Sequence, residues 1–124
     1  MTVKVIPTEH QEQAALFEWA AFQECVWPEL RLLHAIPNGG KRDKVTAARL
    51  KAEGVKPGVP DVCLPVPRGD KHGLYIEMKR RKGGSVSADQ LKWIENLMRQ
   101  GYECHVCRGC EEARATILAY LRKD

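Results

Sequence analysis

Gly73-Leu74-Tyr75-Ile76-Glu77-Met78-Lys79 alternates residue by residue, the period of a β-strand. Leu74, Ile76 and Met78 fall on one face and Tyr75, Glu77 and Lys79 on the other, so Glu77 and Lys79 are neighbours about 7 Å apart along the strand. Upstream, Gly58-Val59-Pro60-Asp61-Val62-Cys63-Leu64-Pro65 reads as a second short strand, joined to the first by a basic turn through Arg68-Gly69-Asp70. Asp61 stands sixteen residues before Glu77, so hairpin pairing of the two strands brings a second carboxylate to the same place.

Working outward, Thr8 and Gln11 form a capping box for an opening amphipathic helix that carries Leu16, Phe17, Ala20, Ala21 and Cys25 and stops at Pro28. Residues 30–36 read as a strand closed by Pro37-Asn38-Gly39-Gly40. Residues 43–53 give a second helix, with Val45 and Ala48 inward and Gly54 after its end. Ser87 caps a third, whose apolar stripe is Leu91, Ile94, Leu97 and Met98 and whose stop is Gly101. A strand at 102–107 and a last helix at 111–122, with Ala113, Ile117, Tyr120 and Leu121 inward, complete the chain. The order α-β-α-β-β-α-β-α, without repeat or linker, describes one mixed α/β domain over residues 1–124.

Composition narrows the function classes. The 124 residues are 44% hydrophobic and 29% charged, ordinary for a folded protein, and no apolar run approaches the roughly 20 residues of a membrane span. No signal-peptide pattern opens the chain, which points to the cytoplasm. The net charge of +4 is unevenly spread: residues 1–30 carry one Lys against five Glu, whereas 41–56 and 68–82 each hold six basic residues against two acidic ones. Two basic blocks can offer a polyanion a local patch, although a solvated helix face and a charged hairpin rim explain them equally well. Cys104-His105-Val106-Cys107-Arg108-Gly109-Cys110 contains a CxxC spacing that suits zinc. On a strand, however, Cys104 and Cys107 face opposite sides, and no second ligand pair follows, which favours small buried thiols.

A carboxylate and an ammonium side by side, with a second carboxylate opposite, suit a hard metal ion and the hydrolysis of a phosphodiester. Mg²⁺ commonly takes one or two carboxylates and leaves its other positions to water and phosphate oxygens. Glu-x-Lys alone is more often an exposed ion pair on a half-buried strand. Gly58-Val59-Pro60-Asp61 together with Glu77-Met78-Lys79, however, matches the PD-(D/E)xK nuclease signature. The flanks resemble the VRR-NUC (virus-type replication-repair nuclease) family in order and approximate spacing: Glu9-His10-Gln11-Glu12-Gln13, Ile36-Pro37-Asn38-Gly39-Gly40-Lys41-Arg42, Leu50-Lys51-Ala52-Glu53-Gly54, Ser87-Ala88-Asp89-Gln90-Leu91-Lys92-Trp93 and Gly101-Tyr102. The resemblance runs from about residue 9 to 121.

That resemblance implies a restriction-endonuclease-like core, a mixed sheet flanked by helices, and a Mg²⁺- or Mn²⁺-dependent DNA endonuclease. Asp61, Glu77 and the Met78 carbonyl would bind the metal, and Lys79 would be the catalytic lysine. Glu9 and Gln90 would join the catalytic set with Gln13 in support; equally, Glu9 can serve the helix dipole, Gln13 the surface and Gln90 the capping box with Ser87. Lys41, Arg42, Arg80 and Arg81 would contact DNA, and Asn38, read first as the turn residue of Pro37-Asn38-Gly39-Gly40, would have a phosphate contact as its lesser role. The stand-alone members look phage- or prophage-derived, and the resemblance extends to homodimers similar to Holliday-junction resolvases, for which Trp27 and Leu30 around Pro28 offer apolar surface or core. The competing expectations are a nucleic-acid-binding module with a vestigial site, a general nicking or flap-cutting nuclease, and a zinc-stabilised interaction domain.

Overall fold

A computed structural model of the chain describes residues 5–37 and 43–124. Its elements run α1 (Glu9–Gln23), a 3-10 turn (Pro28–Leu32), β1 (His34–Ala35), α2 (Lys44–Ala52), β2 (Val62–Leu64), β3 (Leu74–Lys79), α3 (Ala88–Arg99), β4 (Glu103–Arg108) and α4 (Cys110–Leu121). The four strands form one sheet in the order β1-β2-β3-β4, antiparallel except for the parallel pair β3-β4. This is the expected mixed sheet flanked by helices. The parallel pair is connected through α3, as a parallel crossover requires.

Both capping boxes form as the sequence dictates. Thr8 accepts from the Gln11 N–H while the Gln11 side chain accepts from the Thr8 N–H, and Ser87 and Gln90 do the same at α3. The core lies on the face of β3 that carries Leu74, Ile76 and Met78, against Leu16 and Ala20 of α1 and Ala113 and Ile117 of α4. Tyr120, fully buried, donates its hydroxyl to the Val66 carbonyl at 2.6 Å, so its ring enters the core without an unpaired polar atom.

Three expectations change. Residues 30–36 are not one strand: Pro28 presets a helical φ, and Leu30 and Leu33, three apart, both bury, which a 3-10 turn achieves and an alternating strand does not. Only His34–Ala35 then pairs with β2. Helix α2 buries no residue; Val45 is 81% exposed and Ala48 and Ala52 are exposed, so the helix stands on its cap, where Asp43 accepts from the Thr46 N–H at 2.7 Å. The stripe on α3 is split: Ile94 and Leu97 are half-buried, but Leu91 and Met98 face outward. Leu30, read as interface or core, is core, and Trp27 packs against it.

Candidate active site

The β2–β3 register decides where the carboxylates go. Val62 pairs with Ile76, Cys63 with Tyr75 and Leu64 with Leu74, so one step further Asp61 lies opposite Glu77. Asp61 is held there by two bonds: its carbonyl accepts from the Ile36 N–H at 2.7 Å, and its Oδ2 accepts from the Met78 N–H at 2.8 Å. Gly58 makes the approach possible. Its φ of +88° and the place a Cβ would take, 2.7 Å from the Asp89 carbonyl carbon, let the 58–61 segment lie directly on the first turn of α3.

Glu77 is 2% exposed and Lys79 7%, so the second face of β3 is also covered beyond the half-buried Tyr75. Lys79 Nζ lies 3.9 Å from Glu77 Oε1, and Gln90 Nε2 donates to the same oxygen at 2.5 Å. Gln90 therefore serves two roles at once, completing the capping box through its Oε1 and reaching into the site through its Nε2. Glu77 Oε2 is buried, and among the described residues no N–H or hydroxyl donates to it; with Asp61 opposite, it can bond only when one of the two carboxyls carries a proton. A buried acceptor without a donor costs about 1–3 kcal/mol, more when charged, unless a proton or a cation takes that position.

The electrostatics agree. Burial, and then the negative charge of Asp61, pushes the Glu77 carboxyl up to about 8, against the opposing pull of Lys79 and with a small further rise from Glu9. Burial raises Asp61 too, while its bond from the Met78 N–H, a hydrogen bond with Glu77 and the Lys79 charge resist the rise. Two acids facing each other in a dry site cannot both ionise without compensation. With a proton on Glu77 they hydrogen-bond; without one, the pair calls for positive charge.

The other candidate residues fall into three groups. Glu9 is exposed at the start of α1 and near enough to add to the field at Glu77; Gln13 is half-buried one turn further on. Arg80 is exposed and donates from Nε and Nη2 to the Pro7 and Ile6 carbonyls, and Arg81 donates from Nε to Glu12 Oε2 at 2.9 Å. Asn38, Lys41 and Arg42 lie outside the described residues. Cys107 is buried in the core and Cys104 lies on the opposite face, and among the described residues no group of three or more His, Cys, Asp or Glu is placed to hold a metal. Asp61 and Glu77 are thus the two carboxylates that the hairpin brings together.

Two further residues shape the surroundings of the site. Glu12 is 3% exposed on the buried line Glu12–Leu16–Ala20 of α1, where an acid at i, i+4 spacing with core residues was a visible signal. Arg108, reaching from the end of β4, donates to the carbonyls of Arg80, Gly83 and Gly84 and so fastens the basic loop after β3; nothing local in the sequence announces it.

Comparison with known proteins bears on this site. The VRR-NUC domain family model matches residues 5–111. A solved structure described as a VRR_NUC domain protein superposes with a TM-score of 0.82 at 29% identity, covering 95% of this chain and 91% of that one. No curated protein matches the chain. With the family model spanning most of the sequence and the Asp61, Glu77 and Lys79 signature assembled on adjacent strands, the chain belongs to the VRR-NUC domain family, nucleases of the PD-(D/E)xK type.

Proposed function

We propose that the protein is a Mg²⁺- or Mn²⁺-dependent DNA endonuclease that works as a homodimer and prefers branched over linear DNA. The observation that carries the metal dependence is Glu77 Oε2, a buried acceptor to which no N–H or hydroxyl donates among the described residues, facing Asp61 beside the Lys79 ammonium. All-oxygen donors in a partly acidic site suit a small hard cation, and Asp61, Glu77 and the Met78 carbonyl would hold it. When bound, such an ion stabilises the charge on the scissile phosphate and acidifies water.

The chain's own residues supply the rest. Lys79 orients the attacking water and balances phosphate charge as it builds up. Gln90 fixes the Glu77 carboxylate through Oε1, leaving Oε2 for the cation. Glu9, at the mouth of the site, supports the water, with Gln13 behind it. The exposed basic residues that follow β3, Arg80 and Arg81, together with Asn38, Lys41 and Arg42, contact the DNA backbone.

Branched-DNA preference rests on symmetry. A two-fold dimer supplies two identical sites for paired nicks across a junction. Phe22, Val26 and Leu32, at 74%, 63% and 52% exposure, give the corner between α1 and the 3-10 turn apolar surface for such a contact. The test offers four-way and linear duplex DNA with Mg²⁺ or EDTA, with the mass measured by light scattering. Faster cleavage of the junction by a dimer is expected. Equal cutting of both substrates by a monomer refutes the junction reading, and metal-independent binding without cleavage would leave only a binding module.

A further inference from the structure

We infer that Glu12 is a positioning residue for DNA binding, holding Arg81 so that its guanidinium meets a backbone phosphate next to the active site. This rests on the nuclease reading above and deepens it. Glu12 is a buried carboxylate, 3% exposed, whose hydrogen bonds go to residues outside the Asp61–Glu77 pair. Its Oε2 accepts from Arg81 Nε at 2.9 Å and its Oε1 from the Cys110 N–H at 3.3 Å. The second bond replaces a missing cap: Gly109 is the N-cap of α4 and has no side chain to offer its first N–H groups.

Gly109 shows how closely the parts fit. A Cβ there would stand 2.9 Å from Arg81 Cγ and 3.0 Å from Glu12 Oε2, and the backbone φ of +90° favours glycine in any case. The Gly109 N–H also donates to the Lys79 carbonyl at 2.9 Å. The end of β3, the start of α4 and the first turns of α1 therefore meet at one point, two residues beyond the catalytic lysine.

The consequence for Arg81 follows from guanidinium geometry. With Nε bound, the orientation of the plane is fixed, while the side chain remains 53% exposed and its two Nη groups have no partner among the described residues. The two N–H donors left on the exposed fork match the geometry of a phosphate. Ordering the fork in advance removes the entropy cost that a free arginine would meet on binding.

Two readings of Glu12 predict opposite signs, which makes the inference testable by binding alone. As a simple negative charge, Glu12 repels DNA, and Glu12→Gln tightens binding. As the clamp on Arg81, it supports binding, and Glu12→Gln weakens it. The experiment measures Kd for a labelled duplex in Ca²⁺, with thermal melts of each variant, for wild type, Glu12→Gln, Arg81→Ala, the double variant and Arg81→Lys. Expected is a loss of roughly threefold or more for Glu12→Gln that disappears in the Arg81→Ala background, as coupled neighbours show. Arg81→Lys should lose comparably, because an ammonium keeps the charge but not the fork. Unchanged or tighter binding by Glu12→Gln, or additive losses, overturns the inference. If Glu12→Gln does not fold, wild-type affinity in Arg81→Lys overturns it alone. A wild-type chain that binds no DNA at all would overturn the nucleic-acid reading itself, which separates the two failures.

Discussion

Replacing Glu77 by Gln should stabilise the metal-free protein while destroying its activity. The folded chain holds the Glu77 proton to about pH 8, against an ordinary value of 4.5, because the carboxyl is buried opposite Asp61. With the folded pKa above the unfolded one, the folded state binds more protons between those values, so stability falls as pH rises from about 4.5 through about 8. At pH 7 the gap amounts to about 2.5 pH units, a destabilisation on the order of 3 kcal/mol. Gln has nearly the same shape, keeps an acceptor for Gln90 Nε2 and never ionises. In EDTA the Glu77→Gln variant should therefore melt on the order of 10 °C above wild type at pH 7, with the difference shrinking toward pH 4. Adding Mg²⁺ should close the gap by raising the wild-type Tm alone. Thermal melts followed by circular dichroism across pH 4–8 decide it. A variant that melts at or below wild type at pH 8, or a difference that does not grow with pH, refutes the account of a strained acid pair.

Two further substitutions probe the site. Lys79→Ala should lower turnover by about a hundredfold or more while leaving Mg²⁺-induced stabilisation in place, since the ammonium acts on the water and not as a ligand; calorimetric metal titration beside single-turnover cleavage checks both halves. Gln90→Ala should weaken metal affinity by about tenfold or more through the loss of the bond that orients Glu77, with a smaller fall in the rate at saturating metal; a metal-concentration series of cleavage rates separates the two effects.

Legibility in the sequence tracked the range of the interactions. The caps at Thr8 and Ser87 are contacts over three residues, and both formed. The apolar stripe of the last helix stands alone as a 3.6-residue pattern, and Ala113, Ile117, Tyr120 and Leu121 all buried. The Asp61–Glu77 juxtaposition was readable because a hairpin register converts sequence distance into position. Where position depends on distant partners the pattern was silent or misleading. Val45 on α2 and Leu91 and Met98 on α3 look like core residues in isolation, yet none of the described residues covers them. Leu30 and Leu33 carry a spacing of three that suits a 3-10 turn, but the β-rich run around them outweighed it. Glu12 meets Arg81 and Cys110 across 69 and 98 residues, a separation no local rule spans.

The central claim is that Asp61 and Glu77 hold a divalent cation without which the nuclease does not cut. End-labelled DNA incubated with purified wild type, Asp61→Ala and Glu77→Ala, each in Mg²⁺ and in EDTA, tests it in one gel, with DNA affinity measured in parallel by anisotropy. The account predicts cleavage by wild type in Mg²⁺ alone and none by either variant, although both still bind DNA. Cleavage by wild type in EDTA, or near-wild-type cleavage by Glu77→Ala, would contradict it.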